Sequence, residues 1–255
     1  MEIILLFGAG LIAGALNSLA GGGSFISFPA LLLAGVPPVL ANATNTFASW
    51  PGYVSGTVGY WTHIRKNKRQ LVPYIVAATV GGYAGAELLL RVNDAQFEVV
   101  VPWLMAMAVF LFAFGGRIND WIDKRSGTGA ASGRLAGGIL LIFLTLICLY
   151  GGFFNAGLGI ILLAFFALAG VKDIHAMNGM KLLLSAIVAS VAIIRFALSG
   201  SIAWYQGSLV FVGSMVGGYV AARLAKYIPT KVLNIGIIIY GIVLTLVFFW
   251  QAYGG

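Results

Sequence analysis

Charged side chains are scarce in this chain: only 9% of its 255 residues are Asp, Glu, Lys or Arg, against about 25% in soluble domains. Cysteine is nearly absent, and the single Cys148 excludes an intrachain disulfide and a metal site built from several cysteines. The sequence also carries no phosphate-binding loop, no nucleophile triad and no cluster of metal ligands. We therefore expect no enzymatic activity, no metal site and no cofactor.

Long hydrophobic runs are what the chain has instead. Hydrophobic residues make up 60% of the sequence, and the mean hydropathy is +0.99. About 20 apolar residues cross the roughly 30 Å hydrocarbon core of a bilayer. Runs near that length are Leu71–Leu90, Val99–Phe114, Ile139–Phe154 and Val232–Trp250. The sequence thus predicts an all-α polytopic membrane protein whose main partner is the lipid bilayer.

The first residues and the net charge also fit a membrane protein. The opening MEIILL lacks the positive charge of a signal peptide, so we expect it to belong to the mature first helix. The net charge of +8 falls almost entirely in the loops, where it reports membrane orientation rather than nucleic-acid binding. Nothing in the sequence decides the oligomeric state, and a homo-oligomer stays open.

The two halves of the chain repeat one another, residues 11–114 matching 149–249. The matching stretches are NSLAG (17–21) with NAGLG (155–159), Asn42 with Asn178, and VGGYAGAELL (80–89) with VGGYVAARLA (216–225). Each half has one broken apolar segment followed by three long ones, about eight hydrophobic segments in all. This pattern predicts a first repeat over 1–116, a linker over 117–133 and a second repeat over 134–255. Repeats of this kind are common in transporters, with the substrate site at their interface.

The basic residues decide whether these repeats are parallel or inverted. If the broken segments 3–35 and 134–170 each cross the membrane once, the basic loop residues split eight to five between the two faces. If each segment is a helical hairpin that enters and returns, they split twelve to one, as the positive-inside rule favours. The twelve are Arg65, Lys66, Lys68, Arg69, Arg117, Lys124, Arg125, Arg134, Lys172, Arg223, Lys226 and Lys231. We therefore predict inverted repeats, a cytoplasmic linker and both termini on the non-cytoplasmic side.

The stretch NSLAGGGS (17–24) becomes the tip of the first hairpin. Asn17 and Ser24 bring polar groups into an apolar setting, and Gly22 and Gly23 let a ligand approach the backbone closely. A helix that starts near Ser24 offers free N–H donors and a partial positive charge, which suit a small oxyanion. The alternative is that the glycines only allow close packing between helices.

Polar residues on two later segments are candidates to complete an anion site. Asn42 and Asn45 lie three apart and share a helix face, although hydrogen bonding between helices is an equal alternative. In the second half Asn178 repeats Asn42, and Lys181 takes the place of Asn45. A lysine inside a membrane segment is a functional candidate by default, with snorkelling to the interface as the alternative.

Arg195 lies on nearly the same face of that segment, 14 residues after Lys181. No acidic residue occurs in the segment to neutralise either charge. We therefore expect an unpaired positive cavity that attracts an anion.

The half-repeat pattern resembles the TauE/SafE family of sulfite exporters and anion permeases. The residues that carry the resemblance are GLIAGALNSLAGGGSFISFPALLLAGVPPVLANATNTFA (10–48) and GGYAGAELL (81–89), with weaker echoes after residue 149. The resemblance implies about eight helices and substrates such as sulfite, sulfoacetate and other sulfonates. The second half departs from the pattern: NAGLGIILLAFF has no glycine triplet and no following proline. A second substrate site related by the repeat is therefore in doubt.

The sequence thus predicts a plasma-membrane secondary transporter of the bacterial inner membrane that moves a small anion, most simply sulfite or a sulfonate, by alternating access. The export direction is implied by the resemblance alone. The predicted anion contacts are Asn17, Gly22, Gly23, Ser24, Asn42, Asn45, Asn178, Lys181 and Arg195. An anion channel or uniporter and a non-transporting membrane scaffold are the alternatives.

Overall fold

The computed structural model of the chain describes residues 1–19, 22–65, 68–125, 134–171, 173–224 and 230–254. Within these ranges every regular element is a helix, which confirms the predicted all-α class. The helices are α1 (Glu2–Leu19), α2 (Ser24–Leu33), α3 (Pro38–Gly59), α4 (Trp61–Ile64), α5 (Lys68–Leu90), α6 (Asp94–Arg125), α7 (Arg134–Phe153), α8 (Leu158–Leu168), α9 (Ile174–Leu198), α10 (Trp204–Leu224) and α11 (Thr230–Tyr253).

Four of the described helices are long and apolar enough to cross a membrane. They cover Leu71–Leu90, Asp94–Phe114, Ile174–Leu198 and Ile235–Tyr253. Shorter apolar helices lie in the two broken segments. The polar residues of α3 lower its mean hydropathy. The helix α6 continues to Arg125, through the first part of the predicted linker, and residues 126–133 of that linker lie outside the described residues.

Both broken segments are interrupted where the sequence predicts. In the first, α1 ends at Leu19 and α2 begins at Ser24; in the second, α7 ends at Phe153 and α8 begins at Leu158. Gly22 and Gly157 adopt positive φ angles of 88° and 80° beside these breaks. Only glycine adopts this conformation without strain, so each turn depends on its glycine.

The corresponding helices α3 and α9 cross in opposite directions. Trp50 on α3 donates a hydrogen bond to Ser190 on α9 at 2.8 Å. One and a half turns later along α3, Gly56 meets Leu182, which comes earlier along α9. The numbering rises on one helix as it falls on the other, so the two helices are antiparallel.

The last helices of the two repeats, α6 and α11, are antiparallel as well. The rings of Trp103 and Phe249 pack edge to face, 5.0 Å apart, whereas Gly241 lies against Val109. Two pairs of equivalent helices therefore run in opposite directions, which is the relation that inverted repeats require.

The first helix of each repeat packs against the other repeat. Gly10 and Gly14 of α1 face the backbone of Val210 and Ser214 on α10, with the numbering rising along both helices. The helices α5 and α7 pair in the same parallel way, Gly85 facing the carbonyl of Leu149. Small residues let helix backbones approach this closely. These two contacts, α1 on α10 and α7 on α5, join the two repeats.

The helix directions also show which ends of the helices share a face. Glu2 bonds Gln206, and Asp94 bonds the backbone of Val39, so α1, α3, α6 and α10 all begin on one face. The opposite face, here called the basic face, carries the ends of α6 and α10 and the starts of α5, α7 and α11. Of the predicted basic residues, Arg65 follows the end of α4, Lys66, Lys172 and Lys226 lie outside the described residues, and the others lie on these helix ends. Which face meets the cytoplasm stays a prediction.

Candidate functional site

At the tip of the first hairpin, Gly22 and Gly23 precede α2, and side chains of α1 and α2 form hydrogen bonds with Gly23. Asn17 Oδ1 accepts the backbone N–H of Gly23 at 2.8 Å. The hydroxyl of Ser27 contacts Gly23 O at 3.1 Å and also makes a short hydrogen bond to Asn45 Oδ1. Asn45 therefore joins α3 to α2 through this bond, which is the helix–helix hydrogen bonding that the sequence offers as the alternative for Asn45.

Apolar side chains close around the same tip. A Cβ atom on Gly22 would lie 3.2 Å from the Phe25 ring and 3.3 Å from Phe112. Ser24 is the first residue of α2, as predicted, and is buried. The Gly23 N–H is bonded to Asn17, so an anion that accepted from this one donor would compete with that bond.

At the tip of the second hairpin, residues 154–157, the described residues supply a side-chain hydrogen bond from Tyr150. The Tyr150 hydroxyl donates to the carbonyl of Ala156 at 2.6 Å. Asn155 is 3% exposed, yet neither Nδ2 nor Oδ1 of its amide has a hydrogen-bond partner among the described residues. The Tyr53 hydroxyl of α3 lies close to this amide, without a hydrogen bond of normal geometry.

Asn42 reaches this second tip from α3. Its Nδ2 donates to the carbonyl of Phe153 at 2.7 Å, across the boundary between the repeats. Its Oδ1 is buried without a partner among the described residues. Asn42 and Asn155 together leave three amide atoms at one hairpin tip without a partner among the described residues, although buried polar atoms are nearly always paired.

Lys181 also lies against the second hairpin. A Cβ atom on Gly159, in the first turn of α8, would lie 3.3 Å from Lys181 Cδ. The ammonium group donates to Asn178 Oδ1 at 3.1 Å, and Asn178 Nδ2 donates to Ile174 O of its own helix. Within the described part of the chain no carboxylate pairs with Lys181, so its charge is uncompensated beside a helix N-terminus.

The helix that carries Lys181 begins at an ionised cap. Asp173 accepts the backbone N–H of His175 at 2.9 Å. Hydrogen bonds from the N–H groups of His175 and Ala176 lower the pKa of the Asp173 carboxyl, against a smaller opposing effect of desolvation. The cap is therefore charged at neutral pH and favours the start of α9.

The expectation that Arg195 carries an unpaired charge is wrong. Glu87, on α5, accepts from Arg195 Nε at 2.8 Å and from Arg91 Nε at 3.4 Å. The acid comes from another helix, 108 positions earlier in the chain, so an inspection of the α9 sequence alone could not find it. Arg195 lies near the end of α9, far from Lys181, and joins two helices.

We expect Glu87→Gln to lower the melting temperature of the purified protein, because it leaves the Arg195 guanidinium without its carboxylate. Arg91→Ala is the matched control, since the Arg91 side chain is 74% exposed and shares the same acid. Exposed ion pairs contribute little, so the control should melt close to the parent protein. Equal melting temperatures for both variants in a thermal unfolding experiment would contradict this role.

The structure distributes the nine predicted residues over the two hairpin tips, which α3 joins through Asn45 and Asn42, and over one ion pair. Asn17, Gly22, Gly23, Ser24 and Asn45 lie around the first tip. Asn42, Lys181 and, through it, Asn178 lie at the second hairpin, and Arg195 lies apart.

Sequence reasoning missed Asn155 as a site residue. The signal was present, because NAGLG aligns Asn155 with Asn17 in the repeat. Tyr53 carried no comparable signal, since its position beside Asn155 depends on how α3 packs on the second hairpin.

A family model described as Sulfite exporter TauE/SafE matches residues 6–248. The chain is 28% identical over 247 residues to a Sinorhizobium sp. protein named "Probable membrane transporter protein ORF9", covering 96% of this chain and 91% of that one. It is 28% identical over 254 residues to "Probable membrane transporter protein YfcA" of Escherichia coli K12, covering 98% and 90%.

A more distant similarity reaches plants. The chain is 30% identical over 118 residues to an Arabidopsis thaliana protein named "Sulfite exporter TauE/SafE family protein 3", covering 44% of this chain and 24% of that one. No solved structure matches the chain.

Proposed function

Because the chain belongs to the TauE/SafE sulfite exporter family, we propose that it is a secondary transporter of a small sulfur-containing or organic anion. Its family and its relatives make it a membrane transporter of the TauE/SafE type. The proposal adds the substrate class, export across the bacterial inner membrane, and alternating access as the mechanism.

The observation that carries the proposal is Lys181 beside the N-terminus of α8. The lysine stem packs on Gly159, and no carboxylate among the described residues compensates its charge. A helix N-terminus carries about half a positive charge and free N–H donors. Two positive features next to each other inside a membrane segment suit an anion and repel a cation. A sulfonate or sulfite group fits because its several oxygens can accept from Lys181 and the helix together.

The architecture supports alternating access. Each hairpin is interrupted at its tip, and the two hairpins belong to repeats of opposite direction. Broken helices at the interface of inverted repeats are the usual place for a transported solute, and rocking of one repeat against the other exposes that place to each face in turn. Export remains the direction associated with the family name, and the membrane potential itself favours the exit of an anion.

We expect Lys181→Ala to lose most transport of sulfite or sulfoacetate in proteoliposomes. A hydrogen bond from a charged donor contributes about 1.5–3 kcal/mol, so the transport rate at limiting substrate should fall about tenfold or more. Arg65→Ala is the matched control, since Arg65 is an exposed cation of the basic face. It removes the same charge away from α8 and should transport normally.

Two outcomes would contradict the proposal. Wild-type proteoliposomes that move none of the tested anions would remove the function, and equal rates for Lys181→Ala and wild type would remove the role of the lysine. Counterflow separates a carrier from a channel: preloaded unlabelled anion accelerates uptake of labelled anion only in a carrier. A channel would show flux that neither saturates nor responds to preloading.

A further inference from the structure

The unpaired polar atoms at the tip of the second hairpin are not explained by packing. Asn155 is 3% exposed and Asn42 is 1% exposed, yet three of their four amide atoms have no hydrogen-bond partner among the described residues. A buried polar atom without a partner is costly. Atoms of this kind in a folded protein call for a ligand, an ion or a water molecule.

The orientation of the Asn42 amide is fixed by its one bond. The carbonyl of Phe153 can only accept a hydrogen bond, so the Asn42 atom that faces it at 2.7 Å must be Nδ2. Oδ1 is therefore the unpaired atom, and Oδ1 can only accept. A ligand that satisfies Asn42 must bring a hydrogen-bond donor of its own.

Donors for an oxyanion are present at the same tip. The backbone N–H groups of Asn155, Ala156 and Gly157 make no hydrogen bond within the described part of the chain. They precede the first turn of α8, an 11-residue helix whose N-terminus favours negative charge. Asn155 Nδ2 and the nearby Tyr53 hydroxyl add two further donors.

The equivalent residue of the first repeat is used differently. Asn17 Oδ1 accepts the Gly23 N–H at 2.8 Å, which stabilises the turn before α2. The repeat thus provides one asparagine that stabilises a turn and one that is left open. The pair offers a control within the same chain for any test of the open tip.

We propose that the tip of the second hairpin binds a small oxyanion that also carries a hydroxyl hydrogen. The oxyanion accepts from the α8 N-terminus, Asn155 and Tyr53, while the hydroxyl donates to Asn42 Oδ1. The inference rests on the proposed function, since it names the place where the transported anion is held. A sulfonate without a hydroxyl leaves Asn42 Oδ1 unsatisfied and binds more weakly. Because the site is buried, the ligand enters only when the hairpin moves, as alternating access requires.

The test uses two sulfonates that differ by one hydroxyl, isethionate and ethanesulfonate. Their affinities are measured by calorimetry on the purified full-length protein in detergent, for the wild type and for Asn155→Ala and Asn42→Ala. We expect the wild type to prefer isethionate. Asn155→Ala should lose about tenfold or more in affinity, and Asn42→Ala should lose the preference for the hydroxyl.

The melting temperature without ligand supplies the second readout. Asn155→Ala removes a buried amide that has no partner among the described residues, so the variant should melt at or above the wild-type temperature. A purely structural asparagine would instead give a lower melting temperature, as we expect for Asn17→Ala. Four results would overturn the inference. Two concern Asn155→Ala: a lower melting temperature than wild type, or an unchanged affinity for isethionate. The other two concern the wild type: equal affinity for both sulfonates, or no binding of either.

Transport by wild-type proteoliposomes separates this inference from the proposed function. If the wild type transports sulfonates and Asn155→Ala transports them equally well at limiting substrate, the tip site is wrong and the transporter stands. If the wild type binds isethionate in the expected way but transports no anion, the tip site stands and the proposed function is wrong.

Discussion

Alanine at Gly14 is expected to destabilise the protein strongly, whereas alanine at Gly8 of the same helix should stabilise it. A Cβ atom on Gly14 would collide with the backbone carbonyl of Ser214 on α10, and one on Gly8 would meet nothing within 4 Å. Backbone cannot rotate away as a side chain can, so α1 and α10 would have to separate. The expected loss is about 3 kcal/mol, the upper end of overpacking costs.

The two substitutions are expected to change the stability in opposite directions. Alanine is a better helix former than glycine by about 1 kcal/mol, so Gly8→Ala should stabilise the protein by about that amount. At Gly14 the collision with α10 outweighs this gain. Thermal unfolding of the two variants in the same detergent measures both effects. Equal melting temperatures would show that α1 does not pack on α10 through these glycines.

Alanine at Gly23 is expected to open the first hairpin. Its Cβ atom would collide with the carbonyl of Ala13 and lie 2.6 Å from Asn17 Nδ2. The hydrogen bond from Gly23 N–H to Asn17 would be broken, leaving a buried donor unpaired at a cost of about 1–3 kcal/mol, in addition to the steric strain. We expect a lower melting temperature together with reduced transport.

Gly52→Ala is the control for this second prediction. Gly52 lies on α3, and a Cβ atom added there would meet nothing within 4 Å, so alanine should leave melting and transport near wild type or slightly improved. A Gly23→Ala protein that melts and transports like Gly52→Ala would show that the turn tolerates a side chain, and that α2 does not return tightly along α1.

The arrangement of helices could be predicted from the sequence because its signals are local or periodic. Apolar runs set the helices, and Gly22 and Gly157 mark the two breaks. Inversion followed from counting basic residues on either side of the hairpins. Antiparallel packing of α3 on α9 agrees with it, through contacts such as Trp50 to Ser190.

The reason for the repeated GGY motif could not be predicted in the same way. The sequence shows Gly81 and Gly217 at equivalent positions, but not the partner of either. Gly81 faces α7 and Gly217 faces α1, so each glycine serves a contact with the other repeat. Such long-range pairing depends on how the halves assemble, which no periodicity within one segment records.

The candidate site was predictable only in its parts. Lys181 was recognisable because a lysine inside an apolar segment is costly. Its neighbour Gly159 and the ion pair of Arg195 with Glu87 depend on contacts between segments distant in sequence. The missing glycine triplet in the second hairpin directed attention to the first tip. The three amide atoms of Asn42 and Asn155 that lack a partner among the described residues lie instead at the second.

Because the first helix packs on the other repeat, its burial has to wait for later parts of the chain. The partner of α1 is α10, so the glycine face of α1 stays uncovered until nearly the whole chain has been synthesised and inserted. The first half, released alone, would present that face to lipid and to other chains, which is the condition under which partly folded proteins misassemble. The glycine face of the first helix is therefore buried late in biogenesis, after α10 has been made.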